Sequence, residues 1–251
     1  MPEAVPILET MELTKSFGMV KATYAVNVQV REGELVGIVG ANGSGKTTFL
    51  NLITGYLRPD RGRILIMGQE SVGLPPRLVT KLGVARSFQV PQLYTGLSVL
   101  ENILLSFAAR DSKGLEGWKP LYRRLWVDKG LELLERFGLK PYARRSVAEL
   151  PEGGRKLLDV ALSFALNPTL LLMDEPTSGV SVEDKFEVMD TLAEVLRQSQ
   201  ITTIFVEHDM EVVERYSQRV LVFDNGQVVA DGEPKSVLTN PEVRKAVLGR
   251  E

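Results

Sequence analysis

The sequence has 251 residues, 44% hydrophobic and 25% charged, which suffices for one large globular domain or a domain with an attached lobe. Its formal net charge of −2 excludes a global field that would draw it to nucleic acid or anionic lipid, leaving only local patches, and the absence of cysteine excludes disulfides and thiolate metal sites. No apolar run approaches the roughly 20 residues that cross a bilayer, and Met1-Pro2-Glu3-Ala4 has no basic stretch leading into an apolar core, so no signal peptide is expected.

Ile7–Leu13 and Tyr24–Val30 alternate in the manner of strands, with Phe17-Gly18 marking a turn between them. An antiparallel pair leading into the next strand, Leu35–Val39, is expected. The ring of Phe17 can stack on a nucleobase or pack on the sheet as a turn aromatic. Gly40-Ala41-Asn42-Gly43-Ser44-Gly45-Lys46-Thr47-Thr48 follows and reads G-x-x-x-x-G-K-T, a phosphate-binding loop between a strand and a helix. Its glycines let the backbone curl so that successive N–H groups face phosphate oxygens with no Cβ in the way. The following helix adds the positive end of its dipole. Lys46 reaches the β- and γ-phosphates as a point charge, and the Thr47 hydroxyl ligates Mg²⁺. Thr48–Ile53 continues at helical spacing until Gly55.

Arg58–Gly62 reads as a loop and Gly62–Met67 as a strand; Ala85–Gln89 ends a short extended segment. From Leu97 to Ala165 the patterns are helical, including Leu100, Ile103, Leu104 and Phe107, then Leu131, Leu134, Phe137 and Leu139. Lys113–Gly117 is an expected loop between these helices. Gln89, at the entry to the block, stands where a hinge and γ-phosphate sensor is wanted.

Leu170–Met173 is a fully apolar strand suited to a buried parallel sheet, and it ends in Asp174-Glu175. Carboxylates at the carboxyl end of such a strand lie where open α/β sheets bind ligands. Asp174 can hold Mg²⁺ through water and Glu175 can polarise the attacking water, or the two are solvated strand-end acids. Phe186–Leu196 has the spacing of an amphipathic helix. Ile201–Val206 is the next buried strand and ends in Glu207-His208-Asp209; His208 is the only histidine and falls on the same edge as Lys46 and Asp174-Glu175. Val220–Phe223 and Gln227–Ala230 form a hairpin about Asp224-Asn225-Gly226, and Pro234–Leu248 is a short helical tail.

The phosphate loop, Gln89, the run Leu150-Pro151-Glu152-Gly153-Gly154-Arg155-Lys156, Leu-Leu-Leu-Met-Asp-Glu and His208 together resemble, in order and spacing over nearly the whole chain, the ABC-type ATPase cassette. The resemblance implies an α/β P-loop NTPase core with a mostly parallel sheet, an N-terminal antiparallel β-subdomain and an inserted helical subdomain. It implies one domain over 1–251, with a core lobe at 1–96 and 166–251 and a helical signature lobe at 97–165. Phe17 then looks like the adenine-stacking aromatic of the A-loop, and Gly40 to Thr48 like Walker A. Gln89 resembles the Q-loop residue, catalytic and on Mg²⁺ with Thr47 and Asp174; Glu175 resembles the catalytic glutamate and His208 the switch histidine. ATP and Mg²⁺ are the implied cofactors. The implied partners are a second cassette, identical or paralogous, packed head to tail, and integral-membrane permease subunits that dock beside the Q-loop. They would hold the chain at the cytoplasmic face of the membrane; no nucleic acid is expected.

Two positions depart from the family pattern. Where the signature L-S-G-G-Q has serine, this chain has Pro151; Glu152 follows, Gly153 is retained, and Gly154 stands at the glutamine position. The D-loop aspartate appears as Ser181. Both departures bear on contacts across the dimer and not on the phosphate site in the same chain. Val206-Glu207-His208-Asp209-Met210, the tail Asn240-Pro241-Glu242-Val243 with Leu248-Gly249, and the insertion around Gly114–Trp126 resemble cassettes of branched-chain amino-acid importers, among which the signature serine is often replaced. The implied function is therefore the ATP-hydrolysing subunit of a transporter of branched-chain or related amino acids. The alternatives are a cassette for another solute, a regulatory cassette with little turnover, and a soluble ABC ATPase acting on ribosomes or DNA.

Overall fold

The computed structural model describes residues 5–111 and 121–248. The expected loop Lys113–Gly117, the insertion from Gly114 up to residue 120, Met1–Ala4 and Gly249 lie outside the described residues. In chain order the elements are β1 (Leu8–Phe17), β2 (Val20–Val30), β3 (Leu35–Val39), α1 (Lys46–Ile53), β4 (Arg61–Ile66), β5 (Gln69–Glu70), α2 (Pro76–Lys81) and β6 (Val84–Ser87). Then come α3 (Val99–Asp111), α4 (Arg124–Arg136), α5 (Glu152–Ala165), β7 (Leu170–Asp174), α6 (Asp184–Ser199), β8 (Thr202–Val206) and α7 (Met210–Tyr216). β9 (Arg219–Asp224), β10 (Gln227–Gly232), α8 (Pro234–Leu238) and α9 (Pro241–Leu248) complete the chain. They fall into two compact units, one within Met1–Val84, Thr169–Glu175 and Gln200–Glu251, the other within Ala85–Pro168 and Pro176–Ser199.

The first unit carries two sheets. An antiparallel sheet has the order β2-β1-β4-β5. A mostly parallel sheet has the order β10-β9-β3-β8-β7-β6, in which β9, β3, β8 and β7 run parallel and β10 returns antiparallel to β9; the chain leaves the unit along β6. Every residue of β7 and β8 is buried, which is why Leu170–Met173 and Thr202–Val206 read as unbroken apolar or β-branched runs, with the buried Asp174 ending β7. Phe49 of α1 lies 5.2 Å from Phe223 of β9 in a core with Leu8, Val28, Ile38 and Leu172.

The expected antiparallel pair is present in a sheet of its own, apart from that of β3, as an N-terminal antiparallel subdomain requires; the chain turns between them at Arg31–Glu34 with the Glu34 carboxylate accepting from Arg31 N–H. Strand β1 also runs on to Phe17 instead of stopping at Leu13. Its register shifts past Thr10, where Glu12 adopts φ 49° and donates its N–H to Asn27 Oδ1, and pairing resumes through Lys15. A bulge of this kind breaks strict alternation without ending the strand.

The second unit is helical. Phe107 of α3 meets Trp126 of α4 at 6.5 Å, and Phe137 meets Phe164 of α5 edge-on at 5.7 Å. Ser98 and Glu101 form the reciprocal pair that starts α3: Ser98 Oγ accepts from Glu101 N–H and Glu101 Oε2 accepts from Ser98 N–H. The expected helix through Leu139 stops at Arg136, since Gly138 takes the left-handed conformation at φ 69°. The tail is two helices and not one, interrupted at Asn240-Pro241. Helices α2 and α7 went unread because each is short, although Pro76 and Asp209 mark their starts; Asp209 accepts from Glu211 N–H at 2.9 Å.

Candidate functional site

In the first unit the phosphate-loop sequence occupies the connection from β3 to α1. Gly40 at φ 155° and Gly45 at φ 110° hold backbone that side chains rarely adopt. A Cβ on Gly40 would sit 2.2 Å from Phe223 O, and one on Gly45 would sit 2.1 Å from Ala22 O. The loop is therefore clamped between β9 and β2, and no other residue fits either position. Asn42, Gly43 and Thr47 are exposed and Thr48 is half-buried, so the rim of the loop and the start of α1 meet solvent.

Lys46, like Ser44 and Gly45, is buried. It is 5% exposed, and Nζ donates to Gly40 O at 2.7 Å and Ala41 O at 3.0 Å. Burial lowers its pKa, while the charges of Glu175 and then Asp174 act to raise it. Ser44 Oγ is buried with no hydrogen-bond partner inside this same curl. A buried lysine, an unsatisfied hydroxyl and a glycine cradle are what an oxyanion ligand such as a phosphate chain would complete. Among the described residues no group of three or more His, Asp or Glu side chains could hold a metal. Mg²⁺ takes one or two protein oxygens together with phosphates, and Thr47 and Asp174 are hard oxygen donors of that kind.

Strands β7 and β8 deliver the acids and the histidine. Their parallel register pairs Asp174 with Val206, so the residues that follow emerge at the same end of the sheet. Asp174 is 5% exposed, and Glu175 adopts φ 52°, a left-handed conformation uncommon for a non-glycine residue. Its N–H donates to Val206 O at 3.0 Å, which anchors this turn to β8. Glu175 Oε1 then lies 2.7 Å from His208 Nε2, with the histidine side chain 44% exposed and the glutamate side chain 14% exposed. Backbone strain of this kind concentrates at functional positions. Phe17, at the end of β1, is 50% exposed, with Lys15 Nζ 5.7 Å from its ring centre.

The second unit holds the remaining expected residues. Gln89 follows β6 with its side chain exposed. Pro151 is the N-cap of α5 at φ −62°, ψ 163°, and offers no side-chain cap. Glu152 opens the helix, where a carboxylate favours the dipole, and lies 3.6 Å from Arg155 one turn on. A Cβ on Gly153 would meet Val188 of α6 at 3.0 Å, and one on Gly179 would lie 3.8 Å from Glu152 Cγ, so the signature turn and the D-loop stretch are neighbours. Gly154 is buried behind Leu150 and Pro151. Ser181 Oγ accepts from Asp184 N–H at 3.1 Å at the start of α6.

The sequence assigns no separate role to two charged residues of α5, Lys156, which closes the Leu150–Lys156 run, and Asp159, which are 3% and 5% exposed. The available signal was a lysine and a carboxylate interleaved with the buried apolar positions Leu158, Val160 and Ala161. Burial pushes the Asp159 carboxyl up to about 6, against its backbone hydrogen bonds from Phe88 and Gln92 and the charge of Lys156. The folded chain thus holds a proton that the unfolded chain releases at a lower pH. This contribution to stability is fully present below about pH 4 and is lost as pH rises through about 6, amounting to about 3 kcal/mol. The stability lost on Asp159→Asn should therefore shrink by up to about 3 kcal/mol between pH 4 and pH 7 in urea unfolding. A pH-independent difference would contradict this.

The sequence model described as ABC transporter matches residues 24–178. The chain is 33% identical over 250 residues to a high-affinity branched-chain amino acid transport ATP-binding protein of Escherichia coli, LivG, covering 97% of this chain and 98% of that one. A probable branched-chain amino acid transport ATP-binding protein of Archaeoglobus fulgidus is 34% identical over 247 residues, with 97% and 95% covered. Among solved structures, an ATP-binding cassette of an ABC transporter in its ADP conformation superposes with a TM-score of 0.87 at 32% identity, covering 98% of this chain and 99% of that one. A dimeric post-hydrolysis cassette bound to ADP and phosphate gives 0.77 at 25% identity, with 90% and 98% covered.

Proposed function

We propose, proceeding from the fact that this chain belongs to the ABC transporter family and is an ATP-binding, ATP-hydrolysing subunit, that it powers import of branched-chain or related amino acids. The observation that carries hydrolysis on this chain's own residues is the Glu175–His208 contact at 2.7 Å, on the same strand ends as Asp174 and in the field of Lys46. In this reading the Glu175 carboxylate accepts the proton of the attacking water, and His208 fixes the orientation of that carboxylate. Lys46 and the N–H groups from Gly40 to Thr48 hold the phosphates, and Phe17 carries the base. Thr47, Asp174 and Gln89 would hold Mg²⁺, which would supply neutralisation of charge on the phosphoryl group.

A second cassette, identical or paralogous, would present its signature turn to each nucleotide. In this chain that turn offers Pro151, Glu152, Gly153 and Gly154, with Ser181 beside it; the missing serine hydroxyl leaves backbone N–H groups as its donors. Permease subunits would dock near Gln89, where Val90 and Tyr94 are 69% and 64% exposed. Among the described residues no helix is long and apolar enough to cross a membrane, and attachment through permeases at the cytoplasmic face is the corresponding proposal. Residues 97–165 are proposed as the helical signature lobe and the rest, 1–96 and 166–251, as the core lobe of one cassette. The amino-acid substrate class is supported by the relatives at 33% and 34% identity over nearly the full chain.

His208→Ala tests the reading. ATPase turnover should fall by about tenfold or more while the Kd for ATP stays within about twofold, since the histidine orients Glu175 and does not grip phosphate. Wild-type turnover in the variant would remove His208 from this role.

A further inference from the structure

Two buried charges on α5 are engaged with the segment that carries Gln89. Asp159 spans that segment with both carboxylate oxygens: Oδ2 accepts from Phe88 N–H at 2.9 Å, and Oδ1 accepts from Gln92 N–H at 3.1 Å. One turn earlier on the helix, Lys156 Nζ donates to the Gln89 carbonyl oxygen. Positions three apart share a helix face, so one face of α5 grips the backbone before Gln89, at Gln89 and after it. The side chain of Gln89 stays exposed while its backbone is held.

We propose that Asp159 and Lys156 are positioning residues for Gln89, fastening its loop to the helix that begins at the signature turn. The proposal rests on the reading of Gln89 as a residue that senses the γ-phosphate and its metal. Packing alone would not place charges here. A buried carboxylate and ammonium lose hydration that an apolar residue of similar size would not, and they are tolerated only when nearly all their hydrogen-bonding capacity is used. The use is specific to main chain: a carboxylate can accept on both oxygens, whereas an amide of the same shape can accept on one only. The same helix starts at Pro151 and Glu152, so any displacement of the signature turn carried along α5 moves the backbone of Gln89 with it, and a shift at Gln89 moves the signature turn. Such a rigid connection gives Gln89 two-way communication with the turn that a second cassette meets.

The test uses the full-length protein and compares Asp159→Asn, Lys156→Met, Gln89→Ala and the Asp159→Asn/Gln89→Ala double variant. Expected are a fall in kcat of about tenfold for Asp159→Asn with Kd for ATP within about twofold, a double variant no slower than Gln89→Ala alone, and amide exchange in residues 88–92 accelerated about tenfold. If Asp159→Asn does not fold, Lys156→Met is read against the same expectations. A lowered kcat in Gln89→Ala with wild-type kcat in Asp159→Asn or Lys156→Met would overturn the proposal alone, as would effects of Asp159→Asn and Gln89→Ala that multiply. Wild-type kcat in Gln89→Ala would overturn the role given to Gln89 and the proposal with it.

Discussion

Glu175→Gln will keep Mg·ATP bound and reduce turnover by about a hundredfold or more, the range expected when a positioned general base is lost. Three observations set the size of the effect. Glu175 is held at φ 52°, and its N–H is tied to Val206 O, so the carboxylate starts from a fixed origin. His208 Nε2 sits 2.7 Å from Oε1. An amide in the same place keeps the volume and can still face the histidine, but it cannot accept a proton from water near neutral pH. Phosphate release and equilibrium nucleotide binding, measured on the same preparation, check it: retained binding with lost turnover is the expected pair. Equal turnover in variant and wild type would take Glu175 out of the chemistry.

Lys46→Ala acts on a different quantity. The lysine is 5% exposed and donates to Gly40 O and Ala41 O, so its ammonium is built into the curl of the loop. Removing it deletes the cation facing the phosphates and also leaves two loop carbonyls short of a donor. Hydrogen bonds to charged groups are worth about 1.5–3 kcal/mol each, so the loss of one should lower affinity for ATP by about tenfold to about 150-fold. Titration with a fluorescent ATP analogue reads this directly. A Kd within twofold of wild type would contradict the assignment of Lys46 to the phosphates.

How much of this was legible depends on the range over which each feature is determined. The β3–loop–α1 unit could be read because its glycines are fixed locally: Gly40 and Gly45 stand where a Cβ would strike Phe223 O and Ala22 O. β7 and β8 could be read because both faces are covered, which leaves only apolar and β-branched residues in them up to the terminal Asp174. The Glu175–His208 contact could be anticipated only as a shared edge. Its formation depends on β7 lying next to β8, a topological fact that neither strand's sequence encodes. The continuation of β1 past Leu13 was hidden by the shift at Glu12, since alternation is the signal and a bulge breaks it. Asp159 was hidden for the opposite reason. Its partners, Phe88 and Gln92, are backbone N–H groups some seventy positions away, and main-chain donors leave no trace in side-chain identity.

Pro151 shows that a departure from a family pattern can be locally harmless. As N-cap of α5 it needs no N–H, its carbonyl accepts from Arg155 N–H at 3.0 Å, and Glu152 supplies the charge that a capping hydroxyl does not. What the substitution changes is the set of donors available to a neighbouring cassette, a quantity that no hydrogen bond within this chain reports.

The most direct measurement is phosphate release by the purified wild-type protein at saturating Mg·ATP across a range of protein concentrations. Turnover that depends on Mg²⁺ and rises per molecule with protein concentration is predicted, because Glu175 and His208 meet within one chain while a second cassette is proposed to close over the nucleotide. Saturable ATP binding with phosphate release no faster than in the Glu175→Gln variant at every concentration would contradict it.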